Sequence, residues 1–149
     1  MPGSTTSSVF SDINVWLALT YERHVHHAIA RRWFENVEPG WRLFFCRFTQ
    51  LGLLRLLSSE AIMGPDGVMN QPTAWQAYDR WLNDERVAWL DEPAALEREF
   101  RALTRLRQPA PKDWADSYLA AFASAAHLRV VTFDSALQGK SGGGVLLRA

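Results

Sequence analysis

Apolar and polar positions along this chain follow two rhythms. Four short runs are rich in β-branched and aromatic residues: 8–11 (SVFS), 43–46 (LFFC), 87–90 (VAWL) and 129–133 (RVVTF). Runs of that length and composition predict strands. Residues 43–46 are apolar throughout, as in a strand covered on both faces. Between the runs the apolar residues recur at helical spacing. The expected helices cover 14–21, 28–35, 50–57, 72–83 and 94–106, with a last one opening at Asp113. In that last helix Leu119, Phe122, Ala123 and Ala126 share one face. Thr49 is expected to cap the helix over 50–57, and Pro72 suits the first turn of the helix over 72–83. Residues 63–71 hold Gly64, Pro65, Gly67 and Asn70 and read as a loop, and Pro39–Gly40 reads as a turn. Residues 108–111 read as a rigid linker, 139–144 as a flexible turn, and 145–147 as an edge strand. Residues 1–6 are small and polar and are expected to be disordered.

The resulting order, β-α-α-β-α-α-β-α-α-β-β, predicts an α/β fold: a central, mainly parallel sheet of 4–5 strands with helices on both faces. A chain of 149 residues suits one domain with one substantial core. The hydrophobic share of 48% and seven tryptophans argue against disorder. No apolar run approaches the length of about 20 residues needed to span a bilayer. The start of the chain lacks the basic-then-apolar pattern of a secretory leader. Cys46 is the only cysteine, so no internal disulfide forms, which suits a reducing cytoplasm.

Charge changes the picture in one respect. The formal net charge is zero, so no global field attracts nucleic acid. Lys112 and Lys140 are the only lysines among 16 basic residues. The rest are Arg, whose planar guanidinium suits phosphate recognition; a biased genome composition explains the excess equally well.

The candidate chemistry lies at the ends of the strands. Asp12 follows the first strand and Asp134 the fourth, and Asp116 sits in the first turn of a helix that intervenes in the chain. In a parallel sheet, helices begin near the edge where strands end, and ligands bind at that edge. Three carboxylates without a Cys or His partner suit a hard cation such as Mg²⁺ or Mn²⁺, and so imply hydrolysis of a phosphodiester. The bland reading is that Asp116 complements its helix dipole while Asp12 and Asp134 are turn residues. The pattern alone leaves both open.

Four segments, DINVWLAL, FTQLGLLRLL, DSYLAAFA and VVTFD, resemble in order and spacing the PIN-domain ribonucleases, and specifically VapC-type toxins. The resemblance covers residues 11–137. It implies a three-layer α/β/α sandwich, Mg²⁺ (or Mn²⁺ in its place), cleavage of RNA such as tRNA or rRNA, a homodimer, and a VapB-type antitoxin that blocks the site. Carried across by position, Asp12, Asp116 and Asp134 match metal-binding acids. Asn14 matches a polar residue just after the first acid, and Thr132 a hydroxyl residue two before the last. Gln50, Thr132 and Asn14 are then candidates for orienting ligands, and Arg55 for contacting an acid or a phosphate. One position departs: a Glu usual in T-x-x-E-L-L-R falls on Gly52 when read against residues 49–55. The alternative is therefore a catalytically impaired, PIN-like RNA-binding module. Asp113 and Glu22 are the acids considered as replacements.

Three further features have plain readings. His24, His26 and His27 read as exposed or helix-start residues, with contact to substrate phosphate as the alternative. Arg98, Arg101 and Arg105 form a helical stripe interleaved with Glu97 and Glu99, hence a solvated face. Trp16, Trp33, Trp75, Trp81 and Trp114 read as core and interface; stacking on unpaired bases is open for one or two, but no spacing singles one out.

Overall fold

The computed structural model describes residues 8–148. The expected disorder of residues 1–6 lies outside them. Five strands form one sheet: β1 (Ser8–Ser11), β2 (Arg42–Phe45), β3 (Val87–Trp89), β4 (Arg129–Thr132) and β5 (Val145–Leu146). Their spatial order is β3-β2-β1-β4-β5 and every neighbouring pair is parallel. The expected parallel sheet is therefore present, with β1 at its centre.

Alternation along the strands builds two cores. In β1, Val9 faces one side and Phe10 the other; in β4, Val131 and Val130 divide likewise. The first side is covered by α1 (Ile13–Thr20), α2 (His27–Glu35), α3 (Arg47–Leu57) and α5 (Gln71–Leu82), packed around Trp16, Leu43 and Phe45. The second is covered by α6 (Leu96–Leu103) and α7 (Asp113–Ala126), where Phe10 stacks on Phe122 at 4.6 Å.

Two helices were hidden from pattern reading. Residues 63–71, expected as a loop, belong in part to α4 (Glu60–Gly67), which is kinked where Gly64 takes φ 77 ahead of Pro65. Gly and Pro there mark a bend within a helical stretch, not its absence. Residues 139–144, expected as a turn, are partly the end of α8 (Ser135–Ser141). Asp134 caps α8 by accepting from the Ala136 N–H at 2.8 Å, and Gly142 closes it in the left-handed region at φ 65. Parallel strands need a crossover, and α8 supplies it between β4 and β5. Thr49 is also not the cap of its helix. α3 starts earlier, at Arg47, and the Cys46 N–H donates to Thr49 Oγ1 at 3.0 Å from within the first turn. Among the described residues no helix is long and apolar enough to cross a membrane.

Candidate active site

The site is built where β1 and β4 end side by side. The Asp12 N–H donates to Val131 O at 2.9 Å, which ties the end of β1 to β4. The Asp12 carbonyl then accepts from Val15 and Trp16 at 3.0 and 3.2 Å, starting α1. This leaves the Asp12 side chain at the strand edge. Thr132, the fully buried last residue of β4, organises that edge. Its hydroxyl donates to Asp12 Oδ2 at 2.9 Å and accepts from the Asp134 N–H at 2.9 Å. One side chain thus fixes both strand-end acids. The third acid, Asp116, comes from the first turn of α7.

The charges of Asp116 and Asp134 act on Asp12, and that of Asp134 acts on Asp116. Burial pushes the Asp12 carboxyl above the ordinary value of 3.8; the hydrogen bonds from Thr132 and Ile13 oppose this, and the charges of Asp116 and Asp134 add to it. Asp116 is also raised, first by burial, then by the charges of Asp134 and Asp113, with Lys140 opposing. Like charges held together in this way favour protonation or a cation. The donors are all oxygen, the set preferred by Mg²⁺ and Mn²⁺. Among the described residues no three His, Cys, Asp or Glu side chains form a ready-made cage for an ion. Mg²⁺ does not require one, since it keeps several waters and is commonly held by one or two carboxylates plus substrate phosphate. The residues present fit such a cation.

The other sequence candidates divide. Asn14 lies exposed in the first turn of α1, two residues from Asp12. Gln50 is 7% exposed and is turned inward: its Oε1 accepts from Arg47 Nη1 at 2.6 Å, and it lies against Tyr78. Arg55 is exposed and lines a groove with Leu51, Leu54 and Trp75. Neither Gln50 nor Arg55 is among the groups that shift Asp12 or Asp116. Glu22 lines a separate cavity with Arg31, Arg80 and Asp84, so it does not replace a site acid. Asp113 does stand beside the site, but it is paired. Lys140 Nζ approaches Asp113 Oδ1 at 2.9 Å and Ser117 Oγ donates to Oδ2 at 3.0 Å, which together hold the Asp113 carboxyl below its ordinary range.

Lys140 is the charged residue that pattern reading missed. It sits on α8, whose glycine-rich sequence concealed the helix, so nothing in the linear order placed it near α7. The histidines are anchored at the rim. His26 stacks on Phe133, 4.6 Å between centroids, and His27 Nδ1 lies 2.7 Å from Ala18 O. Arg101 pairs with Glu97 at 2.8 Å, as the solvated-face reading expects.

Gly52 has a packing explanation. A Cβ at this position would run into Ile13 Cδ1 and lie 2.9 Å from Cγ1. α3 therefore comes close to the start of α1, and Gly52 keeps Ile13, next to Asp12, in place. Overpacking of this kind typically costs about 1–3 kcal/mol. Gly52→Glu should thus lower the urea midpoint without raising any hydrolytic rate. A Glu variant that gained activity at unchanged stability would show that the site lacks a fourth carboxylate.

A family model for the PIN domain matches residues 9–142. The chain belongs to the PIN-domain family. Among curated PIN-domain relatives, the Mycobacterium tuberculosis ribonuclease VapC41 is 41% identical over 140 residues, covering 92% of this chain and 94% of that protein. Ribonuclease VapC44 of the same organism is 32% identical over 133 residues, covering 85% of each. Solved structures agree with the PIN fold. The M. tuberculosis VapC20 toxin, described as cleaving the Sarcin-Ricin loop, superposes with a TM-score of 0.66 at 16% identity, covering 94% of this chain and 99% of that one. VapBC2 from Rickettsia felis, bound to a promoter DNA fragment, gives 0.69 at 12% identity, covering 95% and 99%.

Proposed function

We propose that this PIN-domain protein is a VapC-type toxin, a Mg²⁺-dependent endoribonuclease that hydrolyses RNA phosphodiesters in the cytoplasm and is neutralised by a cognate VapB-type antitoxin. The observation that supports the reading is the Thr132 hydroxyl joining Asp12 to the Asp134 backbone, with Asp116 in the first turn of α7 adding its charge to Asp12. VapC relatives named as ribonucleases support the activity. Neighbouring structures that pair a VapC with its VapB support the antitoxin. A homodimer and an RNA target of the tRNA or rRNA class belong to the same reading.

Asp12, Asp116 and Asp134 would hold the cation, with Mn²⁺ able to substitute for Mg²⁺. A divalent ion bound there supplies positive charge that polarises a phosphoryl oxygen and lowers the pKa of an attacking water. Thr132 keeps the Asp12 carboxylate oriented and so reduces the reorganisation needed at the moment of reaction. Lys140 neutralises Asp113 and limits the excess of negative charge that an incoming phosphate meets. Asn14, exposed two residues after Asp12, is available to orient the substrate.

Purified protein should cut RNA with Mg²⁺ or Mn²⁺, stop in EDTA, and lose cleavage as Asp116→Ala. Cleavage that persists in EDTA, or that matches the parent in Asp116→Ala, would overturn the assignment. RNA binding without cleavage, equal in parent and variant, would identify a binding module instead.

A further inference from the structure

A groove of about 830 Å³ runs between the loop after β3, α6 and α7, lined by Glu92, Pro93, Leu96, Phe100, Trp114 and Tyr118, among others. None of Asp12, Asp116 and Asp134 lines it. Trp114 and Asp116 are two residues apart on α7, about 200° round the helix. The groove therefore lies on the face of α7 turned away from the acids.

Three rings form its walls. Phe100 meets Trp114 at 6.0 Å between centroids and Tyr118 at 5.9 Å, with planes 68° and 85° apart. Rings set at such angles present their faces in different directions. Trp114 is the most open of them, at 57% exposed. Glu92 stands beside the rings: its Oε2 accepts from the Tyr118 hydroxyl at 2.8 Å. Burial, then that hydrogen bond, push the Tyr118 hydroxyl well above its ordinary value. The phenol thus stays neutral and donates, and the negative charge belongs to Glu92.

This carboxylate has no cation of its own. Among the described residues Glu92 forms no ion pair, and no guanidinium lies over Phe100, Trp114 or Tyr118. Arg101 lines the groove but is paired with Glu97 at 2.8 Å. Arg105, Arg107 and Lys112 do not line it. Elsewhere the chain completes the same combination from within: Arg86 lies 3.9 Å over the Phe34 ring while pairing with Asp84 at 3.1 Å. Here the rings and the carboxylate are present and the guanidinium is missing.

A guanidinium is planar and weakly hydrated, stacks on aromatic faces and forks onto carboxylates. Arg and aromatic residues are enriched where protein surfaces meet. We propose that this groove is a docking site for an arginine side chain of a partner protein, stacked on Trp114 and paired with the free oxygen of Glu92. The groove has the size of a pocket for a drug-sized ligand, so Pro93 and Leu96 remain to take apolar residues beside the arginine. The site goes beyond the ribonuclease reading and needs neither metal nor cleavage.

The test is an NMR titration of the isotope-labelled full chain in EDTA with the blocked tripeptide Leu-Arg-Leu and with its citrulline counterpart, which keeps the shape and removes the charge. The readouts are the indole N–H signal that Trp114→Phe deletes and the backbone signals of residues 92–97. The arginine peptide should shift them saturably and bind roughly 2- to 30-fold more tightly than the citrulline peptide, the span of a cation–π contact. Trp114→Leu and Glu92→Gln should each weaken the arginine peptide, and Trp114→Phe should keep most of the binding. Cleavage in Mg²⁺ should be unchanged in all three, because none of them alters the acids, so a failed nuclease reading and a failed docking site give different results. Equal binding of the two peptides overturns the proposal, as does parent-like affinity in both Trp114→Leu and Glu92→Gln. Choline that binds more tightly than the arginine peptide overturns it too, by assigning the groove to a free organic cation.

Discussion

Asp12→Asn removes RNA cleavage and stabilises the metal-free protein at neutral pH. The first effect follows from position. Asp12 is the most deeply set of the three acids and the one whose carboxylate Thr132 orients. Losing even a group that orients a metal ligand costs about 10- to 100-fold, so losing the ligand itself should cost more than about a hundredfold. Growth inhibition by the expressed protein should disappear with it. The second effect follows from charge. Burial and the neighbouring acids raise the Asp12 pKa above its unfolded value of 3.8. Between that value and the higher folded one, the native state keeps a proton that the unfolded chain has lost. Native stability therefore falls as pH rises through this window, and the full penalty is present above it. Asn keeps an oxygen to accept from Thr132 but carries no charge. The difference in Tm between Asp12→Asn and the parent in EDTA should be small near pH 4 and grow toward pH 7. A variant that remains toxic removes Asp12 from the mechanism. A Tm difference that does not change with pH removes the buried-charge argument.

Trp16→Ala is expected to be the most destabilising single truncation of the α1 side. Trp16 is 0% exposed, stacks on Phe45 at 3.9 Å and meets Trp81 edge-on at 5.5 Å. Truncating a buried Trp typically costs about 3–5 kcal/mol. In a chain of this length that is a fall in Tm of roughly 6–20 °C. Activity should fall too, because the Trp16 side chain packs the first turn of α1, which opens at Asp12, against the core. Trp16→Phe should cost far less. The buried indole N–H of Trp16 has no partner among the described residues, and an orphaned donor itself costs about 1–3 kcal/mol. Urea unfolding followed by circular dichroism ranks the three proteins. A Phe variant as unstable as the Ala variant would place the loss in packing volume rather than in the orphaned donor.

The strands were readable because each is a short β-rich run, and because β1 and β4 divide their side chains between two cores. The positions of Asp12, Asp116 and Asp134 were readable because each stands at an element boundary, where a charged residue has a reason to be. Helix α8 was not readable: Ser135–Ser141 carries Gly139 and little apolar periodicity, and it is held by the Asp134 cap and by Leu137 in the core. Missing α8 also hid Lys140. Gln50 and Arg55 were legible as polar residues on α3, but their direction was not. Gln50 turns inward to Arg47 and Arg55 outward to a groove, because which face of α3 meets the core is settled only by packing.

Local sequence alone determined the parallel α/β architecture, the helix-opening Asp116 and the strand-ending Asp12 and Asp134, since those features depend on neighbours a few residues away. Tertiary structure decided what the acids do to one another. The Thr132–Asp12 hydrogen bond joins residues 120 apart in the chain, the Lys140–Asp113 pair joins two helices, and the exposure of Trp114 depends on how α6 and the loop after it lie against α7. No periodicity encodes such contacts, because each is a matter of which surfaces meet when the sheet closes its two cores.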